Sequence, residues 1–203
     1  MRRIEGAAIA ASVLALVWAS GYAQEPAQAY RQEDQGASKA QRLEQRRAEI
    51  VRMAERAIDD LTEADRQAAD LYKEAYGYAV IDTTKGGLIL TGAGGTGVAQ
   101  TKNGGQRTFM HLGSAGIGLG AGLENYKLIF LFRDSSTFEK FISGVWDANV
   151  TAQAAAGDKG RSAAAAFTGG VAAFRMTDGG LFANIDVSGM KIWPSDRLNP
   201  GAA

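Results

Sequence analysis

No cysteine occurs anywhere in the 203 residues. Disulfides, thiol catalysis, thiolate metal ligands and lipid attachment at cysteine are therefore excluded together. Histidine is reduced to one residue, His111, so neither a histidine-rich metal centre nor a Ser-His catalytic pair is readily assembled. Net charge is also missing, because 22 basic residues cancel 22 acidic ones. Without a positive excess there is no overall footprint for nucleic acid. Long hydrophobic runs are scarce, and the one at the N-terminus, from Gly6 to Ala19, is shorter than the roughly 20 residues of a membrane span. Proline occurs three times, whereas glycine occurs 26 times and is unevenly placed. Residues 1–85 hold four glycines and residues 86–203 hold the other 22.

The first 23 residues read as an export signal. Met1-Arg2-Arg3 supplies a positive start, the apolar run follows, and Gly21-Tyr22-Ala23 places small residues before a cut at Gln24. The alternative is an uncleaved anchor. With no cysteine after the run, a lipoprotein is ruled out, and the mature chain is expected to be periplasmic or secreted.

Residues 24–37 are polar and without period, and read as a flexible lead-in. A single domain is expected over 38–197, with a helical front (38–75) and a glycine-rich β body (76–194). Leu43, Ile50, Ala54, Ala57, Ile58 and Leu61 recur at helical steps, predicting an amphipathic helix over 39–60. Thr62-Glu63-Ala64-Asp65 resembles a capping box that opens a second helix. Short apolar runs then alternate with the turn signals Asn103-Gly104, Asp178-Gly179 and Ser188-Gly189, the first of them predicting a type I′ hairpin. A further helix is expected over 136–143, where Phe138, Phe141 and Ile142 share a face. Helices followed by strands on hairpin-length links predict an α+β fold, the N-terminal helices packed on a twisted antiparallel β barrel or sandwich.

Two motifs invite false readings. Gly92-Ala93-Gly94-Gly95-Thr96-Gly97 matches the dinucleotide-binding fingerprint by letter. That chemistry needs a helix N-terminus at the pyrophosphate and an acid some 20 residues on. The motif instead runs into VAQTKNGG, and no Asp or Glu occurs from Thr83 through Leu123. No nucleotide or other cofactor is expected. Alternate glycines from Gly116 to Gly122 fall on one strand face and read as close packing. Ser188-Gly189-Met190-Lys191 has the serine-lysine acyl-enzyme spacing, but its companion motifs are absent. The carboxylates Asp134, Glu139, Asp147 and Asp186 lie on separate segments. No catalytic or metal-binding residue is assigned, and no enzyme is expected.

The first helix carries the better functional signal. From Lys39 to Arg47 it holds Lys39, Arg42, Arg46 and Arg47 against the single acid Glu44. A basic amphipathic helix can lie on an anionic bilayer, each cation near the surface contributing about 1 kcal/mol. The competing reading is an ordinary domain helix with a solvated, mixed-charge face.

The β body resembles the SYLF-domain family. Ala75-Tyr76-Gly77-Tyr78-Ala79-Val80-Ile81 with Lys85-Gly86-Gly87 is similar to that family's opening run. The glycine blocks at 92–97 and 116–122, the Tyr126–Phe132 strand, the Phe138–Trp146 helix and the Asp158–Ala164 loop follow in its order. Asp178-Gly179-Gly180-Leu181-Phe182-Ala183-Asn184-Ile185 with Gly189-Met190-Lys191-Ile192 resembles its closing hairpin. Tyr76, Asp82 and Asn184 depart from the pattern, standing where many members have lysine, proline and glycine. Fungal and animal members bind membrane lipid and cortical actin machinery, so the resemblance implies a lipid-facing protein. Actin itself enters only by family analogy. The expectation is a non-enzymatic, peripheral binder of anionic phospholipid in the cell envelope, through Lys39, Arg42, Arg46, Arg47, Lys73 and Lys85. Lys102 and Arg107, in the acid-free stretch, are expected to add to that charge. The alternative is a structural or protein-interaction module of the envelope, with an envelope protein as partner.

Overall fold

The computed structural model describes residues 24–87, 90–117, 122–145, 166–183 and 189–201, the first 14 of them by backbone alone. The N-terminal run 1–23, the Asp158–Ala164 loop, Trp146, Asp147, Asp186 and Ser188 lie outside these residues. The chain divides into two units, Met1–Gln45 and Arg46–Ala203. Helix α1 (Gln24–Ala64) contributes residues to both.

Residues 24–37 are helical, where the sequence predicts a lead-in without period. Pro26 is compatible with that, because it falls in the first turn, where its missing N–H has no helical partner to lose. Lack of an apolar stripe removes a burial signal, not the capacity of Glu, Gln, Ala and Arg to form helix.

In the second unit the α1 stripe Ile50, Ala54, Ala57, Ile58 and Leu61 is buried, as its spacing predicts. The break after α1 comes later than the capping box suggests. Thr62 does not cap; its hydroxyl donates back to the Asp59 carbonyl at 3.0 Å, inside α1. Asp65 takes the role for α2 (Arg66–Glu74), its carboxylate accepting from the Ala68 N–H at 2.7 Å. A hydroxyl already satisfied within its own helix leaves the next cap to the residue whose backbone turns extended.

The described strands form one seven-stranded sheet. They are β1 (Gly77–Gly87), β2 (Leu90–Thr101), β3 (Arg107–Ile117), β4 (Gly122–Phe132), β5 (Val171–Thr177), β6 (Gly180–Ala183) and β7 (Met190–Pro194). The order is β6-β5-β4-β1-β2-β3-β7, every pairing antiparallel. The fold is therefore α+β. Of the two sheet forms expected, a closed barrel is not what the described strands make, since β6 and β7 are edges.

Strand alternation sorts the core onto two faces. On one, Ala79, Ile81, Met110, Leu112, Leu128, Phe130 and Phe132 pack with Phe138, Phe141 and Ile142 of helix α3 (Ser135–Ile142). Phe132 meets Phe141 at 4.7 Å and Phe138 at 5.5 Å between ring centroids. Each such fully buried side chain contributes roughly 1.5–3 kcal/mol. On the other, Tyr78, Val80, Val98, Ile129, Leu131 and Phe174 are buried, and Tyr72 of α2 meets Tyr78 edge-on at 5.9 Å.

Glycine takes two roles in β2. A Cβ at Gly97 would stand 2.0 Å from the Val80 carbonyl oxygen, and one at Gly95 2.7 Å from that of Asp82. Gly94, pointing to the opposite face, has nothing within 4 Å. The fingerprint-like motif thus lies wholly inside a strand that turns into a hairpin, as the sequence implied. That hairpin is not the two-residue type I′ form, however. The Gly104 N–H bonds the Thr101 carbonyl at 3.0 Å, and Thr101 N–H bonds Gln106, leaving a four-residue loop. Asn103 instead accepts from the Gly105 N–H at 3.1 Å, a local side-chain turn that competes with the tighter one. The Asp178-Gly179 hairpin does have two residues, between Thr177 and Gly180.

Candidate functional site

In the first unit Lys39 and Arg42 are exposed, three residues apart on α1, and Arg42 donates to the Ser38 hydroxyl at 3.5 Å. The cations assigned in the second unit meet different fates. Arg46 is exposed and pairs with Glu49 at 3.5 Å, one turn along the helix. Arg47 is half-buried, its Nε donating to the Leu198 carbonyl at 3.0 Å. There it ties α1 to the C-terminal segment, whose Asn199 in turn bonds both the N–H and the carbonyl of Phe109 at 2.8 Å. Lys73 pairs with Asp70 at 2.8 Å, and that contact holds the Asp70 carboxyl below its usual range. Lys85 is exposed on β1, directly opposite Glu124 of β4. Arg52 and Arg56 are exposed on α1 as well.

The acid-free stretch does not leave its cations idle. Lys102 donates to the carbonyls of Tyr72 and Lys73 at 2.8 and 2.7 Å, and lies 5.0 Å from the Tyr72 ring centroid. Arg107 donates to the Gln100 side-chain oxygen at 2.9 Å. Both are exposed and donate to neutral carbonyl oxygens, which hold the side chains in place and leave their charge intact. Charge counting cannot anticipate this, because a carbonyl partner carries no charge to count.

Titratable groups elsewhere have structural work. Asp134 caps α3, accepting from the Thr137 N–H at 2.9 Å and its hydroxyl at 3.0 Å, and the first of these bonds lowers its pKa. His111 lies on β3, with Thr96 Oγ1 at 3.5 Å and the Trp193 ring at 6.0 Å. Tyr78 is pushed up to about 12, chiefly by burial, and its oxygen accepts from Gln100 Nε2. Three aspartates that sequence spacing keeps apart, Asp60, Asp82 and Asp178, line one cleft of about 240 Å³ with Asn125 and Lys127. Three carboxylates against one ammonium give its lining a negative balance. No group of three His, Cys, Asp or Glu suited to a metal stands among the described residues.

One cation was missed altogether. Arg175 of β5 sits between the rings of Tyr126 and Phe182. The signal for it is slight: Arg175 replaces an apolar residue in the alternating series Val171, Ala173.

Comparison with known proteins covers part of the chain. Residues 113–201 match a family model, Ysc84, described as "Las17-binding protein actin regulator". Beta cell expansion factor A of Aeromonas veronii is 33% identical over 147 residues, 72% of this chain and 56% of that protein. The chain thus spans little more than half the length of that relative.

Proposed function

The chain is a SYLF (Ysc84) family member, and from that premise we propose that it is a non-enzymatic, peripheral binder of anionic phospholipid surfaces in the cell envelope. The reading rests most on the exposure of the α1 cations. Lys39 and Arg42 in the first unit, and Arg46, Arg52 and Arg56 in the second, all face water. Cations that remain at the surface add roughly 1 kcal/mol each near an anionic membrane, within about a Debye length. Arg47 and Arg107 each commit their Nε–H, and Lys73 and Lys102 part of their ammonium, to partners within the protein, which restrains these side chains without removing their charge. Export through residues 1–23 belongs to the same proposal; a bacterial relative named as a beta cell expansion factor is in keeping with it.

Sedimentation of the full chain with anionic and with neutral vesicles, at low and high salt, tests the proposal. Anionic-selective pelleting that weakens with salt is expected, and so is its loss when Lys39 and Arg42 are reversed to glutamate. Equal pelleting with both vesicle types would sink it. A second reading, a protein-interaction module, draws on the family's description as a Las17-binding actin regulator. It predicts that the same charge reversals leave membrane association untouched while a protein partner still co-purifies.

A further inference from the structure

We propose that Arg175 and Lys85 form a phosphate-binding clamp on the α3-facing side of the sheet, with Glu124 as its built-in competitor. This deepens the phospholipid reading by locating a headgroup-type oxyanion away from α1. The shared chemistry is a phosphate group, whether free or carried by lipid.

Four strands, β1, β4, β5 and β6, build the clamp. Arg175 stands opposite Phe182 of β6 in register, and Tyr126 lies on the neighbouring strand β4. The guanidinium carbon is 5.5 Å from the Tyr126 ring centroid and 5.3 Å from that of Phe182, so it is held between two rings. Cation–π contact on both sides restrains the guanidinium and leaves its N–H groups to find acceptors. They are poorly supplied. The nearest carboxylate oxygen, on Glu124, is 3.7 Å from Nη2, beyond hydrogen-bonding reach. Nε is buried and meets no hydrogen-bond partner among the described residues. A buried donor without a partner is destabilising and calls for a cause.

Access and charge supply one. The Arg175 and Glu124 side chains are 35% and 45% exposed, and Phe182 is 48% exposed. Lys85 faces Glu124 across β1 and β4, on the same side of the sheet as Arg175. Two cations therefore flank one carboxylate, which engages Arg175 only loosely. An incoming phosphate has oxygens enough to meet the accessible Nη–H groups of Arg175 and the Lys85 ammonium together, which a single carboxylate oxygen 3.7 Å away does not.

The test follows the Arg Nε–H resonances of the full chain by NMR during titration with glycerol 3-phosphate, and separately with phosphatidylcholine vesicles containing phosphatidic acid. A saturable shift at Arg175 is expected with the soluble phosphate. R175Q should weaken its binding at least about tenfold, and E124Q should tighten it roughly fivefold by removing the competitor. E124Q and K85Q alter exposed side chains, so they keep the test alive if R175Q fails to fold. An Arg175 resonance unmoved by either probe overturns the clamp, as does an affinity that none of the three variants changes. The two proposals fail separately. Vesicle binding by wild type and E124Q alike, with Arg175 unmoved, removes the clamp and leaves the membrane reading. A response to glycerol 3-phosphate without vesicle binding keeps the clamp and removes the membrane reading.

Discussion

The Nζ of Lys102, in the β2–β3 loop, lies 2.8 Å from the carbonyl oxygen of Tyr72, in the last turn of α2. With a second bond to the Lys73 carbonyl at 2.7 Å, one ammonium engages two of the last carbonyls of α2, sharing that of Tyr72 with the Ala75 N–H at 3.2 Å. The charge also opposes the negative end of the helix dipole. Replacing Lys102 by methionine keeps much of the stem and removes the donors. K102M is expected to lower unfolding free energy by about 1–2 kcal/mol, read from the denaturant midpoint. Its association with anionic vesicles should match wild type. A K102M protein of unchanged stability would show that the cap carries no weight.

The two glycine roles in β2 separate by substitution. Gly97→Ala forces a methyl to 2.0 Å from the Val80 carbonyl oxygen, where only a shift of the β1 backbone could relieve it. A loss of about 3 kcal/mol or more is expected, enough to leave much of the protein insoluble. Gly94→Ala places its methyl in open space and should stay within about 0.5 kcal/mol of wild type. Thermal unfolding of the pair decides the matter: equal melting temperatures would contradict the packing described.

Tyr78 makes stability sensitive to alkali. Its pKa in the folded chain is pushed up to about 12, first by burial. In the unfolded chain it returns to about 10. Between these values the unfolded chain releases a proton that the folded one retains, so stability is full below about pH 10 and falls as pH rises toward 12. Y78F should flatten that alkaline decline. At neutral pH it should cost about 1 kcal/mol, because the Gln100 amide loses its acceptor. Denaturant unfolding of both proteins across the alkaline range would reveal parallel curves if Tyr78 were not the group responsible.

Much of the fold was legible because burial leaves a period. The stripe from Ile50 to Leu61, the face of Phe138, Phe141 and Ile142, and the runs Tyr78–Ile81 and Leu128–Phe132 are all core, at the spacing their elements demand. Helix ends and turns were less legible. Thr62 and Asp65 are both good caps by composition, and only the hydrogen bonds show that Thr62 is spent inside α1. The candidate site was the least legible part. Lys39, Arg42, Arg46, Arg47, Lys73 and Lys85 look equivalent as letters. Yet Arg47 is tied to the Leu198 carbonyl and Lys73 to Asp70, while Lys85 faces Glu124. Arg175 went unnoticed because its partners, Tyr126 and Glu124, are about 50 residues away in the chain.

The sequence by itself determined what chemistry is closed to this protein: without cysteine there is no thiol chemistry, and with one histidine little scope for a histidine centre. It also determined the α+β order of elements, because helical and strand periods are local properties of side-chain spacing. Tertiary structure decided what each cation and each glycine does. Whether a lysine faces water, a carboxylate or a helix's last carbonyls depends on what pairing brings beside it. Likewise, Gly97 and Gly94 differ only through the backbone that lies against one of them.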